Sequence, residues 1–121
     1  VSRSRASAKK AGSSFERVVA DYLNENWDDR IDRRVKTGSA DKGDIANLRI
    51  NNRRIVIECK NETKYDFNNA VNEARTECDN DGALVGFAVV KRHGKADPAE
   101  QFLVSTVGDF VNFLRGIGAT P

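Results

Sequence analysis

The stretch Arg54-Ile55-Val56-Ile57-Glu58-Cys59-Lys60 reads as a β-strand that ends in charge. Alternate residues of a strand share a face. Ile55, Ile57 and Cys59 therefore take one side and enter a core, while Val56, Glu58 and Lys60 take the other. An acid and a base lie side by side at the end of an apolar strand. Strands that finish in charge at the edge of a sheet commonly finish at a site. Upstream, Gly43-Asp44-Ile45 supplies a second carboxylate at the start of the neighbouring strand. Two converging carboxylates offer hard oxygen ligands, which suit Mg²⁺, with Mn²⁺ as a substitute. A lysine beside them can orient or deprotonate a water, or stabilise charge developing on a phosphate. Asp41, in the same loop, is a rival carboxylate.

Just upstream, residues 45–50 read as a strand and Asn51-Asn52 as the turn joining it to residues 54–59. A regular hairpin about that turn would pair Ile50 with Arg53 and, further along, Asp44 with Cys59. Directly paired residues share a face, so Asp44 would point away from Glu58 and Lys60. The chemistry therefore requires an irregularity between Gly43 and Ile55, such as a bulge or a bend that re-aims the side chain. Earlier still, Ile31 and Val35 mark a short strand and residues 37–43 a loop. Ser13-Ser14-Phe15-Glu16 has the form of a capping box. Phe15, Val18, Val19, Tyr22 and Leu23 follow as the apolar stripe of a helix reaching about Trp27. Residues 1–12 show no apolar period and are expected to form a flexible basic arm, with residues 13–121 as a single domain.

On the downstream side, Phe67, Ala70, Val71, Ala74 and Cys78 are spaced as a helix, which Asp79-Asn80-Asp81-Gly82 stops. Its polar positions Asn69 and Glu73 are candidates to face the site. Residues 83–90 form a continuous apolar run, expected as a central strand buried on both faces. Lys91, Arg92, His93 and Lys95 belong to a basic turn, residues 101–105 to a strand. Thr106 caps a last helix carrying Val107, Phe110, Val111 and Leu114. The order αβββαββα describes an α/β fold with a mixed central β-sheet flanked by helices.

Composition narrows the chemistry. A chain of 121 residues that is 39% apolar can bury one core. No apolar run approaches the roughly 18 residues of a membrane span, and the opening residues do not read as a signal peptide. Cys59 and Cys78 are too few for a disulfide framework and fit buried thiols in a reducing compartment, so a cytoplasmic protein is expected. The single His93 argues against a Ser-His-Asp triad, and the lack of C-x-x-C against structural zinc. The net charge of +2 hides segregation: residues 1–14 carry +4, residues 15–29 carry −4 and residues 30–54 carry +5. A basic arm (Arg3, Arg5, Lys9, Lys10) plus a basic stretch holding Lys36 and Lys42 suits a polyanionic partner, with phosphate contacts independent of base sequence.

Asp44 followed by a hairpin and Glu58-Cys59-Lys60 resembles the PD-(D/E)XK nuclease superfamily, with Gly43 standing where a Pro often precedes the Asp. Gly12-Ser13-Ser14-Phe15-Glu16-Arg17, the small size and Ser39 in the loop before Asp44 look most like the archaeal-type Holliday-junction resolvases. The likeness covers roughly residues 9–90 and fades toward the C-terminus. It implies a single Mg²⁺-dependent nuclease domain acting on DNA, as a homodimer that cuts two strands of a four-way junction. It implies that Asp44, Glu58 and the backbone carbonyl of Cys59 bind the metal, that Glu16 joins them through water, and that Lys60 positions the attacking water. Arg17 and Ser39 would contact the region of the scissile phosphate. Phe102, Phe110, Phe113 and an edge of the 85–90 strand are candidates for the dimer patch. The alternatives are another nuclease of the same superfamily, of repair or restriction-like type, or a DNA-binding module without catalysis.

Overall fold

The computed structural model describes residues 3–35, 38 and 40–121. Helix α1 spans Arg5–Asn26 and is followed by two short strands, β1 (Asp32–Arg33) and β2 (Ile45–Ala46), which pair antiparallel. Strands β3 (Arg49–Ile50) and β4 (Arg53–Lys60), helix α2 (Phe67–Asp81), strand β5 (Val85–Val90), a 3-10 turn at Pro98–Glu100, strand β6 (Phe102–Val104) and helix α3 (Val107–Gly116) complete the order. The main sheet runs β3-β4-β5-β6, with β4 and β5 parallel and the outer pairs antiparallel. Parallel neighbours need a crossover, and α2 supplies it. The fold is therefore mixed α/β, with a mixed four-stranded sheet and helices against it. No helix among the described residues is long and apolar enough to cross a membrane.

The alternation in β4 divides the core. Ile55, Ile57 and Cys59 join Phe15 and Val19 of α1 and Phe87 of β5 in one cluster, and Phe113 of α3 packs against it. On the other face α2 lies over β4 and β5 through Ala70, Ala74, Ala88 and Val90. These are small residues, and the approach is close. A Cβ added to Gly86 would sit 2.2 Å from the carbonyl oxygen of Ala74. That closeness brings the polar residues of α2 down to the sheet.

Two expectations need correction. Helix α1 begins at Arg5 with Ser4 as its cap, whose hydroxyl accepts from Ser7 N–H at 3.1 Å. The expected flexible arm of residues 1–12 is thus, from Arg5 onward, the exposed opening of the helix, and Ser13 lies in its interior. Ala, Lys and Arg are strong helix formers that need no buried stripe, so apolar periodicity gave no sign of these turns. Glu16 is thereby not a capping residue. Residues 45–50, expected as one strand, break in two. The Asn51-Asn52 turn has both φ values positive, 49° and 63°, as a tight hairpin turn demands. Regular pairing with β4 continues as far as Ile55 N–H donating to Leu48 C=O at 2.9 Å. Asn47 then adopts φ 67°, and the chain leaves to pair with β1.

Candidate active site

Everything at the C-terminal end of β4 follows from that departure. Gly43 holds φ 94°, and a Cβ there would lie 2.8 Å from Val56 Cγ1 and 3.1 Å from Ile57 O. Proline cannot reach such a φ, so glycine here is what lets the loop cross tightly over β4. Asp44 N–H then donates to Ile57 C=O at 2.9 Å. Its carboxylate Oδ2 accepts from Cys59 N–H at 2.8 Å. The side chain takes the place of a ladder carbonyl, which carries it past the strand edge to within hydrogen-bonding reach of Glu58. The irregularity required of the hairpin is therefore present, as bends at Asn47 and Gly43. In an extended strand the N–H and C=O of one residue leave by the same edge, so the Cys59 carbonyl is presented on the Asp44 side of β4.

Glu58 and Lys60 share the face toward α2, and the helix meets them with its own acids. Asp41, Glu58 and Glu77 each place a carboxylate oxygen within 4.8 Å of the others. Glu58 and Glu77 are buried, at 7% and 4% exposure, and Asp44 at 3%. Oε2 of Glu77 is buried with no hydrogen-bond partner among the described residues. Asp41 is pinned from both ends: its carboxylate accepts from Gly43 N–H at 3.0 Å, and its carbonyl accepts from Asn80 of α2 at 2.9 Å. Glu73, one turn before Glu77, forms an ion pair with Lys60. Asp41, Glu58, Lys60, Glu73 and Glu77 line a cleft of about 400 Å³.

The electrostatics are those of an acidic site short of positive charge. Burial, with the neighbouring Glu77 carboxylate adding to it, pushes Glu58 up to about 8, against an opposing hydrogen bond with Asp44. Burial likewise raises Glu77 to about 7, with Asp41 and Asp44 contributing repulsion. For Lys60 burial acts downward, but the Glu73 hydrogen bond and the charges of Glu58, Glu73 and Glu62 outweigh it, and the pKa rises. Lys60 is thus held as an ammonium. Burial also pushes the Cys59 thiol well up, helped by Asp44, Glu16, Glu58 and Glu77, so it is an inert core group. Buried carboxylates that hold protons, one with an unsatisfied oxygen, match a hard divalent cation in charge and donor type.

The remaining predicted residues are spread around this centre. Glu16 lies on α1, against the opposite face of β4, where Arg33 donates to it at 3.3 Å; its charge, like those of Asp44, Glu58 and Glu77, is felt at Cys59. Arg17 points outward and is bound to Asp32 at 2.7 Å and Asp21 at 3.3 Å. Lys9, Lys10, Arg5 and Lys42 are exposed, and Arg3 donates to the carbonyl of Asn61 at 2.7 Å, just beyond Lys60. Lys36 and Ser39 lie outside the described residues. Of the dimer candidates, the 85–90 strand is internal to the sheet, between β4 and β6, and Phe113 is packed on Phe87; Phe110 is exposed.

Sequence reasoning missed two groups. Glu77 is one; the other is the pair Arg33 and Arg34, which with Lys9, Ser13, Glu16 and the Arg17–Asp32 pair line a groove of about 580 Å³. Nε of each arginine is buried without a hydrogen-bond partner among the described residues. The groove adjoins the acidic centre, because Arg34 N–H donates to the Asp44 carbonyl at 2.8 Å. Arg33 pairs with Glu16 at 3.3 Å and Arg34 faces Asp81 at 3.9 Å, so the groove carries positive charge beside the buried carboxylates.

A family model described as "Phage putative PDDEXK endonuclease" matches residues 7–80, more than half of the chain. The chain belongs to this family. The match begins in α1 and ends in α2, so the PDDEXK region contains the Asp44 loop, β4 and Glu77 together. No curated protein and no solved structure matches the chain. A PDDEXK endonuclease has DNA as its partner and ordinarily works with a divalent metal, for which the acidic group here offers the donors.

Proposed function

We propose that this PDDEXK endonuclease is a Mg²⁺-dependent enzyme that hydrolyses phosphodiester bonds at branched DNA, a Holliday-junction resolvase working as a homodimer. The observation that carries the metal-dependent part is the meeting of Asp44, Glu58, Glu77 and Lys60 at one end of β4. Asp44, Glu58 and Glu77 would hold the ion, with Asp41 at the rim and the Cys59 carbonyl on the Asp44 side. Bound there, such an ion polarises the phosphate and lowers the pKa of water at the site. Glu73 keeps Lys60 charged, so the lysine orients water and stabilises anionic phosphate oxygens rather than taking a proton. Arg33 and Arg34 hold the strand by its backbone, a contact blind to base sequence. Selectivity for branched DNA rests on the likeness of Gly12, Glu16 and Arg17 to the junction resolvases, and the two symmetric cuts a junction needs call for a C₂ pair.

The test uses labelled four-way junction, linear duplex and single strand of equal length, each with EDTA, Mg²⁺ or Mn²⁺. Paired cuts near the branch point of the junction alone are the expected result. Equal cutting of duplex would make the protein a general nuclease. Binding without cutting in either metal would make it a DNA-binding module.

A further inference from the structure

Beyond Lys60 the chain builds a feature that the acidic centre does not use. Tyr65 stacks on His93 with ring centroids 3.9 Å apart and planes within 12°. It also stacks on Phe67, at 5.1 Å and 17°. Phe102, partly buried against the α2 side of the core, braces both Tyr65 and Phe67 edge-on, at 5.9 and 6.1 Å. Hydrogen bonds fix the stack: His93 N–H donates to the Tyr65 hydroxyl at 2.7 Å, and His93 Nε2 lies 3.1 Å from the Glu62 carbonyl. Yet the rings stay in water, with Tyr65 41% and Phe67 39% exposed. A rigid stack of π-faces kept at the surface is what a flat aromatic ligand needs.

Its position says which ligand. Lys91 N–H donates to the Lys60 carbonyl at 2.8 Å, so the turn bearing His93 starts beside the end of the active-site strand. Phe67 opens α2, and Glu73 on the same helix holds Lys60; at 1.5 Å rise per residue this is about 9 Å along the axis. That distance is about two to three nucleotide steps of 3.4 Å. Cations lie at two edges of the cluster, beside Phe102 and at the start of the loop that carries Tyr65. Arg92 lies over Phe102 at 5.3 Å, and Arg3 binds the Asn61 carbonyl at 2.7 Å, bringing the basic start of α1 to the loop that carries Tyr65. Acids are present as well, with Glu100 3.7 Å from Arg92. Aromatic faces interleaved with cations are how proteins hold unpaired nucleotides.

We propose that the His93-Tyr65-Phe67 stack is a platform for a base of an unpaired nucleotide two to three positions from the cut. This rests on the endonuclease reading and narrows its substrate to DNA opened next to the scissile phosphate. A paired base cannot reach the platform without leaving its own stack.

The test compares the full chain, in EDTA, on two duplexes of equal length: one fully paired, one with three unpaired nucleotides at a branch that include 2-aminopurine. The expected wild-type result is about tenfold tighter binding of the opened DNA, with quenched 2-aminopurine fluorescence. The double variant Tyr65→Leu/His93→Ala is expected to lose both the preference and the quenching. Tyr65→Phe, which keeps the ring and loses only the hydroxyl, is expected to keep both. A double variant with unchanged melting temperature and unchanged preference overturns the platform. So does one that melts lower and loses affinity for both DNAs in proportion, since the rings would then only staple two loops. Adding Mg²⁺ separates the two readings. Wild type that cuts but shows no preference overturns the platform alone, whereas wild type that prefers opened DNA yet cuts nothing keeps the platform and overturns the nuclease.

Discussion

Two glutamates approach β4 from opposite faces and differ in how they are satisfied. Glu16, on α1, is half-buried and receives a hydrogen bond from Arg33 at 3.3 Å. Glu77, on α2, is 4% exposed, keeps Oε2 without a partner among the described residues, and sits against Glu58. A carboxylate with an arginine is already neutralised. One buried beside another carboxylate is costly unless a proton or a cation joins it. The comparison teaches that nearness to the site is not the criterion for a ligand; unbalanced charge is. By that measure the acids on the α2 side, Glu58 and Glu77, are the ones whose charge a cation would balance, whereas Glu16 is paired with Arg33.

The largest effect expected is at the residues between those two faces. Asp44→Asn and Glu58→Gln should each remove cleavage to below about one thousandth of wild type, since electrostatic elements of this kind are worth about 10²–10³ or more apiece. DNA binding in EDTA should persist in both variants, because the amide keeps the shape of the side chain and the basic residues are untouched. Gel-shift and single-turnover cleavage on the same substrate check this. Near wild-type cutting by either variant would leave the site in the wrong place.

The glutamates themselves come next. Glu77→Gln is expected to weaken Mg²⁺ affinity by at least about 10–100-fold, the range for losing a group that only supports a metal ligand. Glu16→Gln should leave metal affinity within about threefold and lower DNA affinity instead, because Arg33 loses its anchor. Isothermal titration with Mn²⁺ and DNA anisotropy separate the two. If the variants exchange these behaviours, the metal belongs to the α1 side and the comparison inverts.

This contrast also shows what was legible in the chain. Glu58 and Lys60 were readable because a strand has a period of two, and one apolar-charged alternation fixes which side each takes. Gly43 marked the crossing. Glu77 was hidden in Asn72-Glu73-Ala74-Arg75-Thr76-Glu77, which reads as a solvated helix face. The signal available was spacing: Ala70, Ala74, Glu77 and Asp81 are the buried residues of α2, and they fall on one helical stripe of two alanines and two acids. An acid continuing an alanine stripe is a buried acid, and buried acids have a reason. The long start of α1 was illegible for a different cause. Exposed helix turns carry no apolar period, so only the Ser4 cap could reveal them.

Titration sharpens the same point in the metal-free protein. Glu58 and Glu77 sit at about 8 and about 7 in the folded chain, above the roughly 4.3 of a free glutamate. Folding therefore takes up protons between those values. The stability they contribute is complete below about pH 4.3 and drains away as pH rises through the folded values. In EDTA the melting temperature should fall between pH 6 and pH 8.5. Mg²⁺ should raise it more at pH 8.5 than at pH 6, since the ion replaces protons that are still held at pH 6. Glu77→Gln should flatten the fall, and Glu16→Gln should not. A wild-type melting temperature that is flat or rises over this range would mean that burial does not hold protons on the two carboxylates.

The smallest effect distinguishes two arginines by the same rule of unbalanced charge. Arg17 is exposed and spends its guanidinium on Asp32 and Asp21, at 2.7 and 3.3 Å. Arg33 is 35% exposed in its side chain, shares itself only with Glu16 among the ion pairs of the described residues, and keeps Nε unbonded. A cation already matched by two carboxylates releases few counterions when DNA arrives, because neutralising a phosphate would first require breaking its pairs. A cation held by a single carboxylate keeps part of its guanidinium edge for a phosphate contact, worth about 0.9 in the slope of log affinity against log salt. Arg33→Ala should therefore flatten that slope by about 0.9, while Arg17→Ala leaves it nearly unchanged. Anisotropy titrations over a salt series in EDTA resolve a difference of this size. Equal flattening by both variants would show that the Arg17 pairs open on binding, and Arg17 would then rejoin the strand-holding surface.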